Sequence, residues 1–171
     1  MRQAYPDGDI ENVLVFMPLA GDLVLTYVLD MDNSMRYFTR NDFADQALDL
    51  NDVHALAEQN FLAYAGDKVG LKSFDGSSLV LFSLDGNYEA TLLLYLRELL
   101  ESAGLPFADD CAFAVPTRDA VLACAADDAA ALAQMREAAA EIAERSPYRV
   151  SQYFYRRKDG EITLLDEVLP H

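Results

Sequence analysis

Hydrophobic positions come in short blocks separated by Gly, Pro, Asp and Asn, and the spacing inside each block changes along the chain. "NVLVFMPL" (Asn12–Leu19), "DLVLTYVLD" (Asp22–Asp30) and "MRYFT" (Met35–Thr39) are rich in β-branched or aromatic residues, so they predict strands. The turns between them are Ala20-Gly21 and the polar "DMDNS", which makes a three-strand meander. "RNDFADQALDL" holds a short helix. A longer one is predicted from Asn51, where Asn51 can cap and Asp52 faces the positive helix end. Val53, Leu56, Ala57, Phe61 and Tyr64 fall at three-and-four spacing, as one buried face requires, and Asn60 lies on that face. Gly66 stops the helix.

"KVGLKSF", "DGSS" and "LVLFSL" then read as a β-hairpin. "YEATLLLYLRELLESAG" predicts a helix apolar on nearly all sides and therefore central, ended by Gly104 and Pro106. "CAFAV" and "AVLACA" are two apolar runs joined by "PTRD", where Pro116 ends the first strand because it cannot donate to a ladder. "DDAAALAQMREAAAEIAERS" is a helix with acids at its start, Arg145 at its end and a stripe of Leu132, Met135, Ala139 and Ile142. A hairpin, "YRVSQYFYRR" with "EITLLDEV" around "KDG", closes the chain. The pattern predicts a single α+β domain over residues 1–171: a mainly antiparallel sheet of hairpins and meander, packed with about three main helices.

Composition adds a charge constraint. Thirteen Lys and Arg against 29 Asp and Glu give a formal net charge of −16. Such a surface repels phosphate backbones and anionic lipid, which argues against nucleic acid and membrane as partners and favours a basic protein. The excess exceeds what solubility ordinarily requires. It sits mainly in Met1–Asp110, with 19 acids and six bases; the rest has ten and seven. No apolar run approaches the roughly 18–20 residues of a membrane span. "MRQAYPDGDIEN" turns acidic before any apolar segment, unlike a secretory leader, so a cytoplasmic protein is expected.

Little in the chain matches known chemistry. There is no phosphate-cradling Gly-rich loop, GxSxG elbow or HExxH. Cys111 and Cys124 lie inside apolar runs and read as reduced, buried thiols. They and the two histidines, His54 and His171, have no zinc-ligand spacing, and no cofactor or metal is implied. Asp30, Asp32 and Ser34 alternate as in a calcium loop, but Met35 and Asn41 stand where its glycine and closing glutamate belong. Asp109 and Asp110, adjacent at a strand start, should diverge rather than share a site. His54 has no nucleophile nearby in sequence and reads as structural.

"NYEATLLLYLREL" followed by "AVPTRDAVLAC" resembles the YtpQ-like bacterial proteins, a family of unknown function. "GDLVLTYVLD", "ALAEQNFLA" and "YRVSQYFYRRKDGEI" extend the resemblance, in order, over most of the chain. It implies an intracellular bacterial α+β protein and supplies no reaction, cofactor or catalytic residue. The chain is more acidic than the resemblance implies, and the family pattern has a longer N-terminal region.

Two functions compete. The first is a binding protein, such as an immunity protein or inhibitor neutralising a basic toxin or enzyme. Its docking segment would be Asp42, Phe43, Asp45, Asp49 and Asp52. The second is an enzyme or small-ligand module with a cleft formed by Asp85, Tyr88, Glu89, Arg118 and Asp119, where Arg118 clamps a carboxylate or phosphate. Capping by Asp85 and Glu89, and a turn at "PTRD", account for the same residues structurally.

Overall fold

A computed structural model describes residues 14–31 and 34–166 of the chain. The start of the first apolar run, the calcium-like Asp32 and the terminal His171 lie outside the described residues. Contacts gather into two compact units: residues 14–19 with Val24–Gly66, and Ala20–Leu23 with residues 67–166.

The smaller unit holds β1 (Phe16–Ala20, whose last residue belongs to the larger unit), β2 (Leu23–Thr26, whose first residue does too), β3 (Val28–Met31), β4 (Ser34–Tyr37), α1 (Arg40–Gln46) and α2 (Leu50–Ala65). The expected meander is instead two two-stranded sheets, β1–β2 and β3–β4. The run "DLVLTYVLD" breaks at Tyr27, whose carbonyl accepts the Phe38 N–H at 2.9 Å and whose buried hydroxyl meets His54 Nδ1 at 2.9 Å. That bond gives His54 its structural role. Asp49, not Asn51, caps α2, accepting the Asn51 and Asp52 N–H groups. The sheltered stripe of α2 is Val53, Ala57, Phe61 and Ala65 with His54, rotated from the expected one. Leu56 is 56% exposed, and Asn60 faces solvent rather than the interior.

The larger unit is built on a six-stranded antiparallel sheet, ordered β10-β9-β7-β8-β6-β5. Its strands are β5 (Gly70–Ser73), β6 (Val80–Ser83), β7 (Asp110–Thr117), β8 (Ala120–Ala125), β9 (Phe154–Lys158) and β10 (Glu161–Asp166). The central pair β7–β8 is buried on both faces, which is why its sequence is apolar at consecutive positions rather than alternating. Leu79, Ala112, Ala114, Leu122, Cys124 and Phe154 form one core with Ala131, Met135 and Ala139 of α4 (Ala129–Arg145). The opposite face carries Phe82, Phe113 and Val121, with Phe113 stacked on Tyr155 at 5.3 Å. A 3₁₀ segment, Glu89–Tyr95, lies against β6, β7 and β8 and leads into α3 (Leu96–Ser102).

The α+β class is as the sequence predicts, and the two hairpins form where expected. Asp159 and Gly160 both have positive φ, 50° and 86°, as the Asp-Gly turn between β9 and β10 demands. Cys111 and Cys124 are free thiols with zero exposure, and burial pushes them up to about 11 and about 12. Asp109 and Asp110 do diverge, to Arg97 and to Arg156. Two further expectations fail. Pro116 does not end β7, because the register shifts between Ala114 and Thr117 and the proline sits in that bulge. The helix expected from Tyr88 is a 3₁₀ segment for seven residues before α3 begins, and its second residue, Ala90, donates its otherwise unpaired N–H to the Arg118 carbonyl at 2.9 Å.

Met135 has zero exposure at the centre of its core, so Met135→Ala should cost about 2–5 kcal/mol in denaturant unfolding. Between β7 and β9, Arg156 grips both Asp110 oxygens at 2.7 and 2.6 Å and lowers that carboxyl to about 2. An unfolded Asp titrates near pH ~3.9. A lowered folded value means stability that is fully present above that pH and is lost as the pH falls toward about 2. Unfolding curves of Asp110→Asn and the parent chain should therefore differ at neutral pH and converge near pH ~2; parallel curves across that window would refute the pairing.

Candidate functional site

The acidic segment divides into acids engaged in local structure and acids left free. Thr39 caps α1, and Asp42 completes a capping box with it. Asp42 also receives Arg36 Nη1 on both oxygens, at 2.9 and 2.8 Å. The Arg36 and Thr39 bonds hold this carboxyl well below the usual carboxylate range. Asp49 is the α2 cap. Phe43 is half-buried, edge-on to Phe38 at 5.7 Å. Asp45 and Asp52 are exposed and remain as charges presented to solvent.

The same stretch of chain also exposes apolar side chains. In the β3–β4 hairpin, Asp30 pairs with Met35 and Val28 with Tyr37, which puts these side chains on one face. Met35 is 44% and Tyr37 46% exposed. Met31 and Val24 are each 48% exposed, and Leu62 on α2 is 49%. The helices α1 and α2 together bury one residue, Ala65. Residues 24–66 carry seven acids and two bases.

In the larger unit, the turn after β7 brings Arg118 to the segment that holds Glu89. Glu89 is buried, and its Oε1 accepts the Leu84 and Gly86 N–H groups at 2.8 and 2.7 Å. The carboxylate thus closes the loop after β6, while Asp85 Oδ1 accepts the Asn87 N–H within that loop. Arg118 lies with its guanidinium 3.7 Å from the Tyr148 ring centre and donates to Asn87 Oδ1 at 3.3 Å. It makes no ion pair with Glu89 or Asp85. Asp119 is exposed at the turn. Glu89 Oε2, Thr117 Oγ1 and Arg118 Nε are buried without a hydrogen-bond partner among the described residues. Tyr88 precedes the 3₁₀ segment and gives it no side-chain cap. The cleft residues are thus close in the fold but act as loop closure and turn packing.

No family model, curated protein or solved structure matches the chain. Among the described residues no helix is long and apolar enough to cross a membrane, and no three His, Cys, Asp or Glu side chains gather as a metal site.

One polar cluster escapes sequence reading. Asp22 Oδ1 receives Ser151 Oγ at 2.6 Å and the Tyr155 hydroxyl at 2.5 Å, and the two hydroxyls lie 2.7 Å apart. Burial and the Asp22 carboxylate push the Tyr155 hydroxyl above its ordinary range. The partners are 129 and 133 residues apart in sequence. The only local hint is Gly21, which has φ +56° and where a Cβ would meet Leu164 Cδ2 at 2.8 Å. Tyr155 has zero exposure, so the cluster fastens the Ala20–Leu23 turn within its unit rather than presenting a nucleophile.

Glu89→Ala should leave two loop N–H groups unpaired, at a cost of roughly 1–3 kcal/mol for each that stays buried. Amide exchange at Leu84 and Gly86 should accelerate, while Glu89→Gln, which keeps an acceptor, should preserve most of the protection. Unchanged exchange in Glu89→Ala would remove the loop-closure role.

Proposed function

We propose that the protein works by binding another protein: a small acidic cytoplasmic chain whose partner is basic. The class is that of an immunity protein or inhibitor that neutralises a basic toxin or enzyme. The observation that carries this reading is the coincidence, in residues 24–66, of excess acid with exposed Val24, Met31, Tyr37, Leu56 and Leu62. Acids steer a basic partner and speed its encounter. Desolvated apolar and aromatic side chains then carry the affinity. Within the expected docking segment, Asp45 and Asp52 are the acids available to a partner, while Asp42, Asp49 and Phe43 support the shape that presents them. The resemblance to the YtpQ-like proteins supports a bacterial cytoplasmic setting for this reading.

The test uses the full chain as bait in extract of its native host, followed by affinity measurement with the purified captured protein. A basic protein should be retained at low salt and released as salt rises. Asp45→Asn with Asp52→Asn should weaken it about fivefold, mainly through the association rate. Leu56→Asp should weaken it more through dissociation. Equal affinity of the parent and all three substitutions would sink the docking proposal.

A further inference from the structure

A groove of about 300 Å³ opens between the loop after β5 and the outer face of α4. Phe74, Leu79 and Ala138 supply apolar lining, and Asp75, Glu137 and Glu141 supply carboxylates. All three acids are exposed, and Phe74 is half-buried. Glu141 has only a long 3.5 Å contact with the exposed Arg145. Asp75 and Glu137 have no cation of their own among the described residues. The chain's own Lys72 already holds its Nζ 5.4 Å from the Phe74 ring centre.

From this arrangement we infer that the groove is a receptor for one lysine or arginine side chain of a basic protein partner. Such a side chain has an apolar stem and a charged head. The stem would lie along the half-buried Phe74 and Ala138, and the head would reach the carboxylates. An acidic side chain would meet three like charges. A purely apolar one would leave the carboxylates without a counter-charge. The inference rests on the binding reading above and adds a second, chemically specific contact in the larger unit.

The test needs no partner protein. The full chain is titrated by ¹H–¹⁵N NMR with acetyl-Ala-Lys-Ala-amide, and in parallel with the same peptide carrying norleucine, which keeps the methylenes but lacks the ammonium. Saturable shifts confined to residues 74–79 and 134–141 are expected with the lysine peptide alone. A chain with Asp75→Asn, Glu137→Gln and Glu141→Gln, all at exposed positions, should bind it at least about fivefold more weakly. Shifts spread evenly over the acidic surface, equal binding of the norleucine peptide, or equal binding by the substituted chain would overturn the inference. If partner capture persists while the peptide result fails, the groove alone is removed. If the peptide binds as expected and capture fails, the groove stands and the docking reading of residues 24–66 falls.

Discussion

The burial of β7 and β8 on both faces is the constraint on which the larger unit depends. A strand covered on one side can alternate apolar and polar residues, whereas one covered on both sides must be apolar throughout. That requirement accounts for "CAFAV" and "AVLACA", and for thiols and alanines at zero exposure between α4 and the 3₁₀ segment. It also explains why polarity collects at the turn. Arg118 and Asp119 stand where the two buried strands reverse, with Asp119 at solvent and Arg118 packed on Tyr148.

The same constraint governs Glu89. A segment that covers the centre of a sheet must enter it through a loop whose backbone donors lose water. A carboxylate supplies an acceptor for two of them at once. The side chain that looked like an acid on a cleft rim is therefore integral to the covering layer. Polar groups at Thr117 and Arg118 are drawn into the same corner of the fold because the chain there is closed by backbone bonds to Ala90, Tyr148 and Val150.

Local pattern was enough to read most elements. The closing hairpin, α4 and the β5–β6 hairpin each carry a complete statement of period and turn within about twenty residues. What escaped had a non-local cause. Tyr27, where the predicted strand breaks, has its hydroxyl on His54, 27 residues on. The start of the 3₁₀ segment is tied through the Ala90 amide to Arg118, 28 residues on. Asp22 has no meaning until Ser151 and Tyr155 arrive. The acidic segment was legible as charge, but its division into capping and free acids depended on backbone geometry at Thr39 and Asp49. The groove beside α4 had no sequence signature, since its lining comes from two separated segments.

The strand order has a consequence for synthesis. β7 is flanked by β8, which follows it directly, and by β9, which emerges more than thirty residues later. The Asp22 cluster joins the first described turn to residues near the end of the same unit. As the chain leaves the ribosome, the strands and helices of residues 24–66 are complete early. The sheet stays open along the β7 edge until Phe154–Lys158 appears. Such distant pairings close slowly, and an unpaired apolar strand edge is where nascent chains associate wrongly. Like charge on the acid-rich first two-thirds of the sequence opposes contact between such waiting chains.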